Sequence, residues 1–216
     1  MLALYGHPFS SYTWKVLIAL YANATPFEFR MVDGDHPEHV ATVQSAGPMG
    51  KFPVLAHDEN LIFESTSIIE YLDRHFPGNE ALLPQDAVAA IVVRMLDRVF
   101  DNYVMNAMQP VVEEHMRSPG APDMVRIGEA RERLTRTYAW LEEWLRFYPP
   151  MGHVTLIECA AAPSLFYADW VHPIGDDFPR LKRWRAHLLG LPPVRRCIEN
   201  ARPYRQNFPP GAPDRD

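Results

Sequence analysis

Lys51-Phe52-Pro53-Val54-Leu55 is the stretch whose reading decides the fold. Val54 to His57 is a short run that reads as a strand, and Pro53 stands just before it. A proline there cannot donate to the sheet ladder. Trans geometry is the default, because cis bonds make up only about 5–6% of X-Pro bonds in folded proteins. The flanking sequence alters that expectation. Upstream, Leu2 to Tyr5 is an apolar run closed by Gly6. Trp14, Leu17, Ile18 and Tyr21 then recur at helical spacing within Ser11 to Asn23, and Phe27 to Val32 alternates as a strand. A β-α-β opening implies a parallel pair joined by a right-handed crossover. Asp33 to Gly50 is polar and broken by Pro37, Gly47 and Pro48, with a short helix near Glu38 to Gln44. Downstream, Asp58-Glu59-Asn60 turns the chain into a second strand, Leu61 to Phe63. Ser65 to His75 is helical, with Ile68, Ile69 and Leu72 on one face, and stops at Pro77-Gly78. In a β-α-β-α-β-β-α domain, a cis bond before Pro53 turns the Phe52 backbone N–H and C=O away from the sheet. There they can pair with an extended peptide ligand.

The pattern changes after Pro84, and no further strand is expected. Asp86 to Met116, Asp123 to Phe147, Thr155 to Val171, Pro179 to Leu189 and Pro192 to Ala201 read as helices of an all-α bundle. The expected organisation is therefore an α/β domain over residues 1–78, a linker over 79–85, a helical domain over 86–203 and an extended or frayed tail over 204–216. The 216 residues suffice to bury a core without disulfides or metals. A net charge of -6 argues against nucleic acid or an anionic membrane as partner. Cys159 and Cys197 form no Cys-x-x-Cys pair and read as buried free thiols of a reducing compartment. With neither a basic leader nor a long apolar segment, the expected location is the cytoplasm.

Two further segments carry chemistry. Glu64-Ser65-Thr66 lies where a strand gives way to a helix, with Ser65 as the expected N-cap. Such a helix end can take a ligand carboxylate, and Glu64 can pair with a ligand amine. Ordinary capping would explain the same residues. Gly6 to Val16 passes from strand to loop to helix and brings the hydroxyls of Ser10, Ser11 and Tyr12 near a helix N-terminus. A hydroxyl there can donate to a thiolate, and the helix-end field lowers a nearby thiol pKa. An acid for an amine, a helix end for a carboxylate, a backbone-pairing proline and a thiol-facing hydroxyl together describe a receptor for glutathione.

With these residues in hand, the chain resembles the cytosolic glutathione transferases from Leu2 to about Tyr204. The first half is similar to their thioredoxin-like domain and the second to their all-helical domain. Gly50 to Leu55 resembles the family's Gly-Lys-Val-Pro-Val-Leu segment with its cis-proline, and Glu64-Ser65 its Glu/Gln-Ser pair for the γ-glutamyl end. Thr155-Leu156-Ile157-Glu158 has capping-box form and resembles the Ser/Thr-x-x-Asp motif that opens the family's core helix, with Glu158 in place of aspartate. Ser10-Ser11-Tyr12-Thr13-Trp14-Lys15-Val16 resembles the serine classes, zeta, tau and theta. Tyr12 stands where the zeta class has cysteine, which counts against zeta-type isomerase activity.

The resemblance implies glutathione as co-substrate, no metal, and attack of a glutathione thiolate on a small hydrophobic electrophile. It implies Ser10 as the thiol's partner, with Ser11 and then Tyr5 as alternatives. Phe52, Pro53, Glu64, Ser65, Lys51 and His39 would hold the rest of glutathione, with His36 as an alternative to His39. Tyr103, Met108 and His115 on the long helix would wall the electrophile site, and the same helix would form a homodimer. Trp140, Trp144, Trp170 and Trp184 read as core aromatics. The alternative function is a non-catalytic interaction module of the same fold.

Overall fold

The computed structural model describes residues 1–148 and 152–216. Strands β1 (Leu2–Gly6), β2 (Glu28–Met31), β3 (Val54–His57) and β4 (Asn60–Phe63) form one sheet in the order β2-β1-β3-β4. β2 runs parallel to β1, while β3 is antiparallel to both β1 and β4. The parallel pair is joined by α1 (Ser11–Ala22), and α2 (Pro37–Ala46) leads into β3. The β3–β4 turn is Asp58-Glu59, and α3 (Ser65–His75) follows β4. This is the expected β-α-β-α-β-β-α order.

Alternation along β1 sorts the two faces of the sheet. Leu2 and Leu4 join the main core with α1 and α3, and Ala3 and Tyr5 join Val32, Val43 and Val54 in a smaller cluster under α2.

The rest of the chain is helical: α4 (Ala87–Val99), a π-helical stretch (Phe100–Met105), α5 (Asn106–Arg117), α6 (Met124–Trp144), α7 (Leu156–Val171), α8 (Pro179–Gly190) and α9 (Pro192–Ala201), then a 3₁₀ stretch (Arg202–Asn207). The single helix expected over Asp86 to Met116 is thus interrupted for six residues. In a π-helix each N–H reaches the carbonyl five residues back, so side chains beyond it fall out of phase with an uninterrupted α-helix.

α7 is buried on every side and is the axis of the molecule, as an all-round apolar helix must be. It starts from the expected capping box: Ile157 N–H donates to Thr155 Oγ1 at 3.2 Å, and Thr155 N–H donates to Glu158 Oε2 at 2.9 Å. α1 packs along it, with Trp14 against Phe166 at 4.9 Å between ring centroids. One continuous core therefore runs from the sheet into the helices.

The tail, read as an extended or frayed end, is docked on the helical domain: Phe208 is buried against Trp170, and Arg215 pairs with Asp169. Trp140 is exposed rather than in the core, because it lies on the outer face of α6. Both cysteines are free and buried, as read from the sequence. Among the described residues no helix is long and apolar enough to cross a membrane.

A buried ionic contact joins the halves as well. Lys15 of α1 is 1% exposed, and its ammonium donates to Asp97 Oδ1 at 2.7 Å and to Asp101 Oδ2 at 2.9 Å. Thr66 Oγ1 of α3 lies 3.4 Å from the same nitrogen and donates to Asp97 Oδ2 at 2.7 Å. Breaking a buried pair by removing one partner costs about 3–5 kcal/mol, because the other charge stays buried. Asp97→Ala is therefore expected to destabilise the protein by roughly that amount, read as a lowered urea midpoint with an unchanged denaturant slope.

Candidate functional site

A cavity of about 340 Å³ opens where the sheet's β3 end meets α1, α3 and the long helix. One wall is the loop Gly47 to Pro53, including Lys51 and Phe52; the Phe52-Pro53 bond is cis. Phe63, Glu64 and Ser65 form its floor at the start of α3. Tyr12 enters from the first turn of α1, and Arg98, Asp101, Asn102 and Asn106 close the far side.

The start of α3 differs from expectation. The cap position is Glu64, not Ser65, and its side chain makes no capping bond. The first-turn N–H groups of α3 are thus left without a side-chain acceptor, which is the arrangement that receives a carboxylate or phosphate. Glu64 has φ 68° and ψ 113°, a region that a residue bearing a Cβ occupies only under strain. Behind this helix end Arg98 pairs with Asp97 and Asp101 and also contacts Thr66. Burial holds the Asp101 carboxyl above its usual range, with the Lys15 ammonium opposing the rise.

The loop before α1 is held by both halves of the chain. Phe9 N–H donates to His7 Nδ1 at 3.1 Å, Tyr167 Oη donates to the Phe9 carbonyl at 2.8 Å, and Trp14 Nε1 donates to the Pro8 carbonyl at 2.6 Å. Ser10 is the N-cap of α1, its Oγ accepting from Thr13 N–H at 3.2 Å.

Five of the expected site residues meet in the cavity: Lys51, Phe52, Pro53, Glu64 and Ser65. Ser10 and Ser11 stand at the adjoining helix end but are not among its described lining residues. Tyr5 points to the other face of the sheet, where its hydroxyl accepts from Arg30 and its ring meets His39 edge-on. His39 lies on that same face and donates from Nδ1 to the Met31 carbonyl at 2.7 Å. His36 pairs with Asp33 at 2.7 Å and stacks on His39.

Tyr103, Met108 and His115 are not among the described residues lining this cavity: Met108 is buried, His115 donates from Nδ1 to the Val111 carbonyl, and Tyr103 lines a second groove. From the long helix it is Arg98, Asp101, Asn102 and Asn106 that border the cavity, and two of these, Asp101 and Asn102, lie within the π-helical stretch. Arg98, Asp101, Asn102 and Asn106 were missed, and only the proximity of these polar residues to an apolar helix stripe hinted at them.

The second groove, about 710 Å³, lies between the long helix and α6 and is lined by Met95, Val99, Tyr103, Arg136 and Trp140 among others. It shares Asn102 and Asn106 with the cavity but contains neither the proline nor a helix N-terminus.

Residues 4–80 match the family model described as the glutathione S-transferase N-terminal domain. Over 195 residues the chain is 31% identical to a glutathione S-transferase 1 of Dianthus caryophyllus, covering 83% of each. The chain belongs to the glutathione S-transferase family. Among solved structures this family member is similar to a glutathione S-transferase of Methylobacillus flagellatus KT with glutathione bound, at 25% identity and TM-score 0.78 over 91% of this chain and 98% of that one. It is also similar to a maleylacetoacetate isomerase of Anaeromyxobacter dehalogenans 2CP-1 with glutathione in its active site, at 26% identity and TM-score 0.71 over 99% and 97%. The family therefore includes both transferases and isomerases among the relatives of this chain.

The strain at Glu64 gives a stability test. Backbone held in such a region costs about 1–3 kcal/mol, and a glycine there loses about 0.4–1 kcal/mol through its freer unfolded chain. Glu64→Gly is thus expected to leave the thermal midpoint unchanged or to raise it, as scanning calorimetry would read.

Proposed function

We propose that this chain is a glutathione transferase that binds glutathione beside Pro53, holds its thiol as thiolate and directs it onto a small electrophile across the cavity. The observation that carries this reading is the convergence of the Phe52 backbone, the open end of α3 and the first turn of α1 on one cleft. The glutathione bound in two similar structures supports it.

In this reading the Phe52 backbone pairs with the cysteinyl unit of glutathione. The α3 N–H groups and Ser65 take the γ-glutamyl carboxylate, and Glu64 takes its amine. Lys51 meets the glycine carboxylate. The sulfur then lies at the start of α1, where the helix end favours the anion. The thiol proton goes to solvent, the sulfur's electron pair forms a bond to the electrophilic carbon, and the leaving group departs with its own pair. No step requires a metal. The electrophile is a small hydrophobic molecule, and one that also offers hydrogen-bond acceptors suits Tyr12, Asn102 and Asn106 on its side of the cavity.

Retention on immobilised glutathione and conjugation of a model electrophile test the reading. Hydrogen bonds to charged groups are worth about 1.5–3 kcal/mol, so Ser65→Ala is expected to weaken glutathione binding by roughly 10- to 100-fold. Wild-type protein that is not retained would sink the proposal. Retention without turnover on any electrophile would favour the non-catalytic interaction module.

A homodimer is part of the same proposal. Val88, Ile91, Val92 and Met95 expose one apolar face of α4, with Ile91 at 63%, and this face runs into the outer groove. A contiguous apolar face of this kind is covered in most soluble proteins. Light scattering is expected to give twice the chain mass for the wild type and the single-chain mass for Ile91→Glu.

A further inference from the structure

We propose that the hydroxyl of Tyr12, rather than that of Ser10, is the hydrogen-bond donor to the glutathione sulfur. This rests on the glutathione-binding reading above and names the group that acts within it.

Three observations carry it. First, among the described residues lining the cavity, hydroxyls come only from Tyr12 and Ser65. Ser65 lies at the open end of α3, which leaves Tyr12 as the hydroxyl on the side of α1. Second, the competing hydroxyls lie outside that lining. Ser10 Oγ is held at the cap of α1, where it accepts from Thr13 N–H at 3.2 Å, Ser11 is likewise absent from the described lining, and Tyr5 Oη accepts from Arg30 on the opposite face of the sheet. Tyr12 Oη makes no hydrogen bond with any described residue, so its proton is available to a ligand. Third, the residue is held in place. Its ring is half-buried against the core, with the Lys15 ammonium 5.9 Å from the ring centroid, and that ammonium is fixed by Asp97 and Asp101.

The surroundings suit a donor. The charged groups near Tyr12 are Lys15 on its own helix, Glu64 at the start of α3, and Arg98, Asp97 and Asp101 on the long helix. Burial, and then the Asp101 charge, push the Tyr12 phenol up to about 12. The phenol therefore stays protonated wherever glutathione conjugation is measured, and it does not take the thiol's proton. That proton leaves to water, and Tyr12 keeps its own while donating to the sulfur anion. The N–H of Tyr12 lies in the first turn of α1, so one residue offers both a side-chain and a backbone donor at the positive end of that helix.

The experiment is a pH titration of the ultraviolet absorbance of glutathione thiolate bound to wild type, Tyr12→Phe and Ser10→Ala, with kcat/KM followed on the same samples. Tyr12→Phe removes one oxygen that has no protein partner, and circular dichroism checks that it folds as wild type does. It is expected to keep glutathione affinity within about threefold and to raise the bound thiol's apparent pKa by about one unit or more, a tenfold effect. Its kcat/KM should fall about tenfold below the thiol pKa and recover as pH rises above it, because the missing donor matters only while the thiolate is scarce. Ser10→Ala should move the thiol pKa less, and Tyr12→Gln, which restores an N–H donor, should recover part of the loss. An unchanged thiol pKa in Tyr12→Phe with a raised one in Ser10→Ala would overturn the proposal while leaving glutathione binding intact. A wild type that fails to bind glutathione would remove both readings.

Discussion

The ammonium of Lys15 is the constraint on which the rest of the structure depends. It is enclosed by α1, α3 and the long helix, and it is satisfied only when Asp97, Asp101 and Thr66 all reach it. Carrying such a charge out of water costs several kcal/mol, so the helices must meet in a geometry that returns that cost. With Arg98 the group contains two cations and two carboxylates. The halves of the chain are thereby locked in one relation, and the cavity is a consequence. The same helix turn that brings Asp97 and Asp101 to Lys15 presents Arg98 and Asn102 to Glu64 and Ser65.

The cavity itself is made largely of groups that the fold leaves incomplete. α3 starts without a side-chain cap, and Glu64 holds a backbone conformation that suits glycine better. Neither feature helps the protein fold. Both are tolerated because the first turn of α3 is anchored elsewhere, through Thr66 to the Lys15 cluster and through Ile68 and Ile69 to the core. Strain and unmet donors gathered at one cleft, and compensated outside it, are what a ligand-binding site requires. The loop before α1 follows the same logic. Its backbone is held by hydrogen bonds from Tyr167 and Trp14, which together with the Ser10 cap place the helix end.

Much of this was legible in the residues. The apolar run Leu2 to Tyr5, the helical spacing of Trp14 to Tyr21 and the turn at Asp58-Glu59 depend on neighbours within a few positions, and local pattern reports them directly. The capping box at Thr155 and Glu158 is likewise a four-residue matter. Lys51 to Pro53 and Glu64-Ser65 were readable because a motif of that length can be recognised whole. Which residues of the long helix border the cavity was not readable, because they are placed by a π-helical stretch, Phe100–Met105, whose Phe100, Asp101 and Val104 are buried against distant elements. The docking of the tail was hidden for a similar reason. Phe208 gains its burial from Trp170 and Tyr167, tens of residues away, while its own neighbours are prolines and polar residues.

By itself, then, the sequence determined the element order, the two-part architecture and the corner formed by Pro53 and Glu64-Ser65, all of which are written in short-range patterns. Only the tertiary structure decided which hydroxyl faces the cavity and which residues of the long helix close it. Ser10, Ser11 and Tyr12 are consecutive, and successive helix positions differ by about 100° in direction. The choice among them belongs to the packing of α1, with Lys15 drawn to its two aspartates and Tyr12 turned with it toward the cavity.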